Sequence, residues 1–390
     1  MADKRSKRDY ALDKFDVDVT TTTRKRKESK IPKQKNPIKR FAIAVFPQSN
    51  DNGGERARKI ILLAAIAILI GTVAFLIYQV NGIKDSGKQS DALASLAGVP
   101  NSSINYVEPG RLTNPDPTIR TAAGDEEPEY MDLTPVPNTP LNADFASLVR
   151  QNPDTRAWIK ITNTLLNHVV LQRPDEDNFY LEHDFYGNYN KFSSEIYSSN
   201  RNKWDGTDDN YVLFGHNLNN GYGFAYINHY VPNDSSREPL AFYKVHPTIL
   251  FQKVGGPSET YKVFAGIVAN TDEQYGEVFN YIDKTKFKNA DDFNNYMIEI
   301  MDRSWFYTDV DLKYGDEILT LSTCYWPLGS NIPTRWVVFA RKVRPGESEY
   351  VDTSIAKRNW GAKLFEYYYK VIGSSGWKGS NWDTSYLLGY

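Results

Sequence analysis

Cys324, the only cysteine of the chain, lies where a thiol could take part in chemistry. It ends an apolar run, ILTLSTC, and Arg335 opens a second apolar run after a loop rich in proline and glycine. Cysteine attacks a carbonyl carbon as the thiolate, and the oxyanion that develops needs a hydrogen-bond donor. If the two runs are neighbouring strands, Arg335 can donate two hydrogen bonds to a substrate carbonyl. The simpler interpretation of Arg335 is a solvated partner in an ion pair.

His216 is the best candidate for the acid/base group that such a thiol requires. It follows Gly215 at the end of the apolar run YVLFGHN, and a turn-rich segment comes next. Catalytic groups often lie on loops at the ends of strands. The other histidines fit structural positions better, with His246 as the main competitor: His168, His183, His229 and His246.

The chain contains one segment that is long and apolar enough to cross a membrane. Residues 60–78 carry no charge, and as a helix they would span roughly 28 Å, close to the thickness of a hydrocarbon core. A cleaved signal peptide would be shorter and would begin nearer the N-terminus. We therefore predict a transmembrane helix over residues 60–80 that stays in the mature protein.

The charges on either side of this segment predict its orientation. Residues 1–59 contain 17 basic and 8 acidic side chains, whereas the whole chain has a net charge of −2. By the positive-inside rule the N-terminus stays in the cytoplasm and the C-terminal part is extracellular, on a single-pass anchor. The basic tail lacks interleaved aromatic residues, so we expect it to contact anionic membrane lipid, with no nucleic-acid partner.

An unpaired cysteine outside the membrane favours a functional thiol. A lone cysteine forms no internal disulfide, and an exported thiol is exposed to oxidation. The alternative is a buried cysteine that acts as a small apolar residue. Neither a phosphate-binding glycine loop nor a Cys/His zinc pattern occurs in the sequence, so we expect no metal and no organic cofactor.

The sequence divides into five segments. We predict a disordered, basic cytoplasmic tail over 1–59, the transmembrane helix over 60–80 and a flexible extracytoplasmic stalk over 81–141, because the stalk is rich in Ser, Asn, Asp, Pro and Gly. A catalytic domain follows over 142–345. An aromatic-rich extension over 346–390 is predicted to dock on the domain as a helix, and a lid over the groove is the alternative.

The domain over 142–345 is predicted to be mainly β. A first helix is expected at 144–150, capped by Asn142, and another at 291–302. Short strands separated by turns are predicted at 157–161, 168–171, 211–214, 248–253, 261–269, 317–324 and 335–343. This pattern favours a β-barrel or sandwich with helical insertions.

Three sequence boxes resemble one enzyme family. YVLFGHN, TLSTC and RWVVFARKV occur in this order, after segments such as ADFASLVRQNPDTRAWIKI and NFYLEHDFYGNYNK. The combination resembles the sortases, the membrane-anchored cysteine transpeptidases of Gram-positive bacteria, and is most similar to class B. The resemblance covers roughly residues 142–345. It implies the eight-stranded sortase β-barrel with added helices.

The resemblance also implies roles for individual residues. Cys324 matches the nucleophile, His216 the catalytic histidine and Arg335 the arginine that stabilises the oxyanion. Substrate-binding positions correspond to Ser322, Thr323 and, less closely, Leu181. Phe214 stands where a tyrosine is common, which removes a hydroxyl from the groove.

The implied reaction is a two-step acyl transfer. The enzyme, a peptidase and acyl transferase, would cleave the C-terminal sorting signal of a surface protein through a thioacyl intermediate. The acyl group would then pass to an amine of a peptidoglycan precursor or a pilin. A wall-crosslinking L,D-transpeptidase would show a His-Gly-Cys box, and Thr323 precedes Cys324 here. The alternative from another class is a non-catalytic, membrane-tethered β-domain that binds wall or surface proteins.

Overall fold

The computed structural model describes residues 36–101 and 132–380. Predictions for residues 1–35, 102–131 and 381–390 lie outside the described residues; they concern most of the basic tail, the middle of the stalk and the end of the extension. The chain divides into two compact units, one up to Ala74 and one from Phe75 onward.

The described part of the first unit contains two helices, joined by residues 46–52. Helix α1, Pro37–Val45, begins after Asn36, whose side chain accepts a hydrogen bond from the Ile38 amide at 3.0 Å. Residues 36–59 therefore differ from the disordered tail that we predicted. The Asn-Pro pair explains the helix start, because asparagine caps the free amides and proline suits the first turn.

Helix α2, Gly53–Leu96, contains the predicted membrane segment. Among the described residues it is the one helix whose length and composition suit a membrane crossing. It continues past the apolar run, so residues 81–96 are helical although we predicted a flexible stalk there. The physical reason is tertiary contact within the second unit, where Leu93 and Ala94 are buried in one cluster with Leu148 and Trp158. Local composition does not show such a contact.

The second unit is built on a closed barrel of eight strands, which confirms the predicted fold. In barrel order the strands run β1-β2-β3-β4-β8-β9-β6-β5. Their bounds are β1 Thr155–Lys160, β2 Asn167–Leu171, β3 Ile196–Ser198, β4 Asn210–Gly215, β5 Thr248–Lys253, β6 Ser258–Asn270, β8 Ile318–Cys324 and β9 Thr334–Lys342. The parallel pair β4–β8 and the antiparallel pair β8–β9 bring the ends of three strands together.

Alternation along the strands separates the inside of the barrel from the outside. On β8 and β9, Leu321 and Val338 belong to the interior core, whereas Ile318 and Val337 pack in a second core with helix α5, Ala290–Arg303. Successive side chains of a strand point to opposite faces, so Cys324 lies on the same outward face as Ile318.

Short elements complete the second unit. Helix α3, Phe145–Gln151, is capped by Asp144, so the predicted cap at Asn142 is wrong by two positions. Asp144 is the N-cap because its carboxylate accepts a hydrogen bond from the Ala146 amide at 2.9 Å. The remaining elements are helix α4 Ala241–Val245 and 3₁₀ helices at Phe179–Leu181, Ala225–Tyr230, Glu273–Tyr275 and Thr353–Ile355.

The C-terminal extension is described up to residue 380. Strand β10, Lys357–Arg358, pairs with β7, Phe306–Tyr307, and helix α6 covers only Glu366–Ile372. Phe365 is buried in the interior core just before this helix. The described part of the extension thus packs on the barrel with a short helix, which is less helical than we predicted for 346–390.

Candidate active site

Strand register brings Cys324, His216 and Arg335 together. Cys324 pairs directly with Arg335 in the antiparallel ladder of β8 and β9. On the other side of β8, Ser322 pairs with Phe214 of β4, and two residues further along these parallel strands come Cys324 and His216. Residues paired across a ladder point to the same face. The three side chains therefore share the outer face at one end of the barrel.

A cavity of about 390 Å³ opens at this end of the barrel. All six residues predicted for the site line it: Cys324, His216, Arg335, Ser322, Thr323 and Leu181. The other lining residues are Asp177, Asn178, Tyr197, Arg201, Phe214, Gly215, Thr271, Tyr281 and Ile282. No residue of the described part of the extension lines the cavity, so a lid over the groove finds no support in residues 346–380.

His216 is held by a main-chain carbonyl. Its Nε2 lies 2.7 Å from the Leu181 oxygen. Because a carbonyl oxygen only accepts, Nε2 must carry the hydrogen, and Nδ1 is left as the acceptor in the neutral ring. Burial lowers the pKa of His216; the Leu181 carbonyl and Glu182 oppose this effect, and the Arg335 charge adds to it. The neutral imidazole is thus favoured near pH 7.

Cys324 is half-buried, and its main chain is anchored. The side-chain amides of Asn217 and Asn228 each donate to the Cys324 carbonyl oxygen at 3.3 Å. These bonds fix the end of β8 against the segments that follow β4. The thiol is therefore presented at the cavity from a restrained backbone, unlike a cysteine that only fills a core.

The two residues before the cysteine differ in what their hydroxyls contact. Ser322 is hydrogen-bonded to the Tyr281 hydroxyl at 2.8 Å. Thr323 lies on the opposite face of the strand, and its hydroxyl donates to the Gly215 carbonyl at 2.8 Å. Thr323 therefore ties β8 to β4, and its hydroxyl is already engaged within the protein.

Two tyrosines near the thiol were missed in the sequence. Tyr197 and Tyr281 line the cavity, and burial raises the pKa of both phenols. The Tyr197 hydroxyl donates to the Asn178 side chain at 3.1 Å, and Asn178 adopts a left-handed backbone with φ of 64°. Tyr197 lies in a three-residue strand and Tyr281 in a loop, so neither belongs to a periodic pattern that could have revealed it.

The other four histidines lie away from the cavity lining. His246 is buried beside Phe242, at 4.7 Å between ring centroids, and burial lowers its pKa to about 4. His168 is buried too and accepts a hydrogen bond from the Gly223 amide at 3.3 Å. His183 stacks on Phe179 and His229 stacks on Tyr226. The predicted competitor, His246, therefore has a packing position.

Glu195 is a buried carboxyl close to the site. It precedes Ile196, which pairs with Gly215, so the register places Glu195 opposite His216 across β3 and β4. One carboxyl oxygen, Oε1, has no hydrogen-bond partner. Burial raises the pKa of Glu195 to about 8, helped by the nearby Asp184 charge and opposed by the Phe185 amide. The side chain is therefore protonated at neutral pH.

Replacement of Glu195 by glutamine is expected to flatten the pH dependence of stability. In the unfolded chain the carboxyl ionises near 4.5, whereas in the folded protein it ionises near 8. The folded state thus holds the extra proton between these values, and the wild-type protein loses stability, on the order of a few kcal/mol, as the pH rises through this window. Glu195→Gln cannot ionise and should escape that loss.

Thermal melting of the full chain in detergent at several pH values between 5 and 8 measures this effect. Glu273→Gln is the matched control, because Glu273 is an exposed glutamate outside the cavity lining. The difference in melting temperature between Glu195→Gln and the wild type should grow in favour of the variant as the pH rises. The difference between the control and the wild type should stay constant. Equal pH slopes for wild type and Glu195→Gln would show that Glu195 is not a buried acid.

The described residues offer no metal site. Among them, no group of three or more His, Cys, Asp or Glu side chains could hold a metal ion. The arrangement can instead support nucleophilic attack by a thiol, proton transfer by an imidazole and hydrogen bonding to an anionic oxygen.

Comparisons with known proteins agree on one family. Residues 178–343 match the family model of the sortase domain. The chain is 29% identical to sortase B of Listeria monocytogenes over 187 residues, which cover 48% of this chain and 69% of the relative. It is 31% identical to sortase B of Staphylococcus aureus over 180 residues, which cover 46% of this chain and 67% of the relative. A crystal structure of Clostridium perfringens sortase B is 31% identical, with 52% of this chain and 100% of that chain covered and a TM-score of 0.44.

The closed barrel presents a cysteine, a histidine and an arginine at one rim, and the similarity to sortases supports a protein of the transpeptidase class. The chain belongs to the sortase family, and its similarity to the two curated sortases B confirms the predicted resemblance to class B. Its apolar N-terminal helix fits the membrane association of this family.

Proposed function

We propose that this sortase cleaves the C-terminal sorting signal of surface proteins and transfers the new carboxyl end to an amine. The acceptor is an amine of a peptidoglycan precursor or of a pilin. The observation that carries this proposal is the common cavity of Cys324, His216 and Arg335, formed by the ends of β4 and β8 and the start of β9. A non-catalytic binding domain would not need these three groups at one rim.

In the first step the Cys324 sulfur attacks the carbonyl carbon of the scissile peptide bond. The reactive form pairs the thiolate with protonated His216, and this form is a minor one near pH 7 because burial lowers the pKa of His216. A tetrahedral oxyanion forms as the C–S bond is made. The C–N bond then breaks, and His216 gives its proton to the departing amine, which leaves a thioester on Cys324.

Arg335 stabilises the oxyanion. Its Nη1 donates to the carbonyl of its own neighbour, Thr334, at 3.1 Å, which restrains the guanidinium near the start of β9. Its remaining N–H groups have no hydrogen-bond partner among residues 36–101 and 132–380, so they can donate to an anionic oxygen that develops beside Cys324. A planar guanidinium can do this with two parallel hydrogen bonds, which a lysine cannot.

In the second step the acceptor amine attacks the thioester. Neutral His216 takes a proton from this amine, a new amide bond forms, and the Cys324 sulfur leaves as the thiolate. The cavity suits a peptide in extended form, because Leu181, Phe214 and Ile282 supply apolar contact and Arg201 and Asp177 supply charge.

The reaction takes place outside the cell in this proposal. The basic residues before α2 keep the N-terminus in the cytoplasm, so the barrel lies on the opposite side of the membrane. The sorting signal then reaches the cavity from a surface protein that is itself held near the membrane.

Trapping of the acyl-enzyme tests the proposed function. The full chain in detergent micelles is incubated with a panel of sorting-signal peptides, and its tryptic digest is analysed by mass spectrometry. We expect the mass of the peptide's N-terminal part on the fragment that contains Cys324, and its release by an added amine. Cleavage without an adduct on Cys324, or an adduct on another residue, would overturn the thioacyl mechanism.

A further inference from the structure

The segment 184–192, here called the proximal loop, is fastened to the helix that follows the apolar run. The Phe192 ring lies 6.2 Å from the Tyr78 ring, and a side chain at Gly82 would collide with Phe192 at 2.6 Å. Asn190 donates to the Ser86 hydroxyl at 3.1 Å, and Ser86 donates to the Phe192 carbonyl. The loop therefore contacts α2 within a few residues of the end of the apolar run.

Hydrogen bonds to α2 also come from residues outside the proximal loop. Ser90 and Ser194 share a buried hydrogen bond at 2.7 Å. The Tyr222 hydroxyl donates to the Asp91 carboxylate at 2.7 Å, and the Asn220 amide donates to the Ile83 carbonyl at 2.9 Å. These contacts lie within the unit that begins at Phe75. The described contacts thus join the barrel unit to α2 from Tyr78 to Asp91.

We propose that the proximal loop lies on the surface of the lipid bilayer and contacts its headgroups through Tyr186, Tyr189 and Lys191. Both tyrosines are largely exposed, at 55% and 63%, and Lys191 is exposed between them and the helix. Tyrosine is enriched at membrane interfaces because its ring is apolar and its hydroxyl is polar. The proposal is independent of the reaction at Cys324.

The neighbouring residues of α2 identify the partner as lipid. Residues 75–78 of the same unit, Phe-Leu-Ile-Tyr, are each more than half exposed, and they end the apolar run that is long enough to cross a membrane. An aromatic loop fastened at this point lies at the depth where hydrocarbon gives way to headgroups. A lysine beside it suits anionic headgroups.

The proximal loop is also continuous with the site. The segment before it contains Leu181, whose carbonyl accepts the hydrogen bond from His216. His183 stacks on Phe179 at 3.9 Å and contacts Tyr189 at 5.9 Å, so the ring of Tyr189 is linked to the wall of the cavity. Contact with the bilayer would therefore hold the side of the cavity that positions His216.

Spin-label accessibility in nanodiscs tests the proposal. In a full-length Cys324→Ala background, Tyr189→Cys and, separately, Tyr186→Cys are labelled and placed in nanodiscs of mixed POPC and POPG. Collision rates with oxygen, which enters lipid, are compared with those of a nickel chelate, which stays in water. Tyr350→Cys is the matched control, because Tyr350 is a tyrosine with similar exposure, 69%, on another surface loop.

We expect labels at Tyr189 and Tyr186 to favour oxygen over the nickel chelate several-fold more than the label at Tyr350. Unchanged melting temperatures would show that the labelled variants are folded, and two loop positions guard against a local effect of one label. If both loop labels meet the nickel chelate as freely as the Tyr350 label does, the loop faces water and the proposal is wrong.

Discussion

Replacing Cys324 by alanine is expected to abolish peptide cleavage and transfer, with a loss of at least ~10³-fold in kcat/KM. The physical reason is that the acyl group has no other thiol to bond to, since the chain has a single cysteine. Cys324 is half-buried, and its carbonyl oxygen accepts hydrogen bonds from the Asn217 and Asn228 side chains, which alanine would keep, so the loss of one sulfur atom should leave the fold intact. Cleavage of a sorting-signal peptide panel by the full chain in micelles measures this result.

Alkylation provides the matched control for this variant. Iodoacetamide should modify the wild-type protein at one site, and the activity lost should match the fraction of protein that is alkylated. Cys324→Ala should not be alkylated. A rapidly alkylated thiol supports the enzyme, and an inert thiol would support a non-catalytic domain with a structural cysteine. Full cleavage by Cys324→Ala would refute the nucleophile assignment.

The sequence predicts the barrel well because its strands carry strong patterns. The runs at β5, β8 and β9 were placed within one residue of their observed bounds, since apolar residues on both faces are typical of buried strands. Strand β3 was missed, because three residues show no period, yet it closes the barrel between β2 and β4. Its place depends on pairing partners that are distant in the sequence.

The candidate site follows from strand order more than from local sequence. Cys324 and Arg335 could be paired in advance, because a short loop joins their two runs. His216 reaches Cys324 only because β4 lies parallel to β8, and such pairing is not visible from either run alone. The contact between His216 and the Leu181 carbonyl comes from a 3₁₀ helix that carries no clear signal in the sequence.

The stalk illustrates the opposite error. Residues 81–96 contain glycines, serines and aspartates, a composition that is typical of a linker. In the structure these small side chains allow close approach to the barrel: Gly82 fits against Phe192 and Gly87 against Tyr222. Small polar residues on one face of a helix can therefore indicate a buried contact as well as flexibility, and only the partner surface distinguishes the two.

Replacement of His216 by alanine is expected to lower kcat/KM on the order of 10²- to 10⁴-fold, the range for loss of a general acid/base. His216 lines the cavity with Cys324, whereas His246 is buried beside Phe242. His246→Ala should therefore keep kcat/KM within a few-fold of the wild type, although the cavity it leaves should lower the melting temperature. The two variants thus separate a chemical role from a packing role.

The pH profile gives the second measurement for His216. Burial and the Arg335 charge lower the pKa of His216. As the pH rises, its ring therefore loses its proton at a lower pH than an ordinary histidine does. Removal of Arg335 should raise the pKa of His216, and Arg335→Gln is expected to move the titration of the His216 ring, followed by NMR, to higher pH. Equal activity of His216→Ala and His246→Ala would place the acid/base group elsewhere. An unmoved titration in Arg335→Gln would show that the guanidinium does not act on the imidazole.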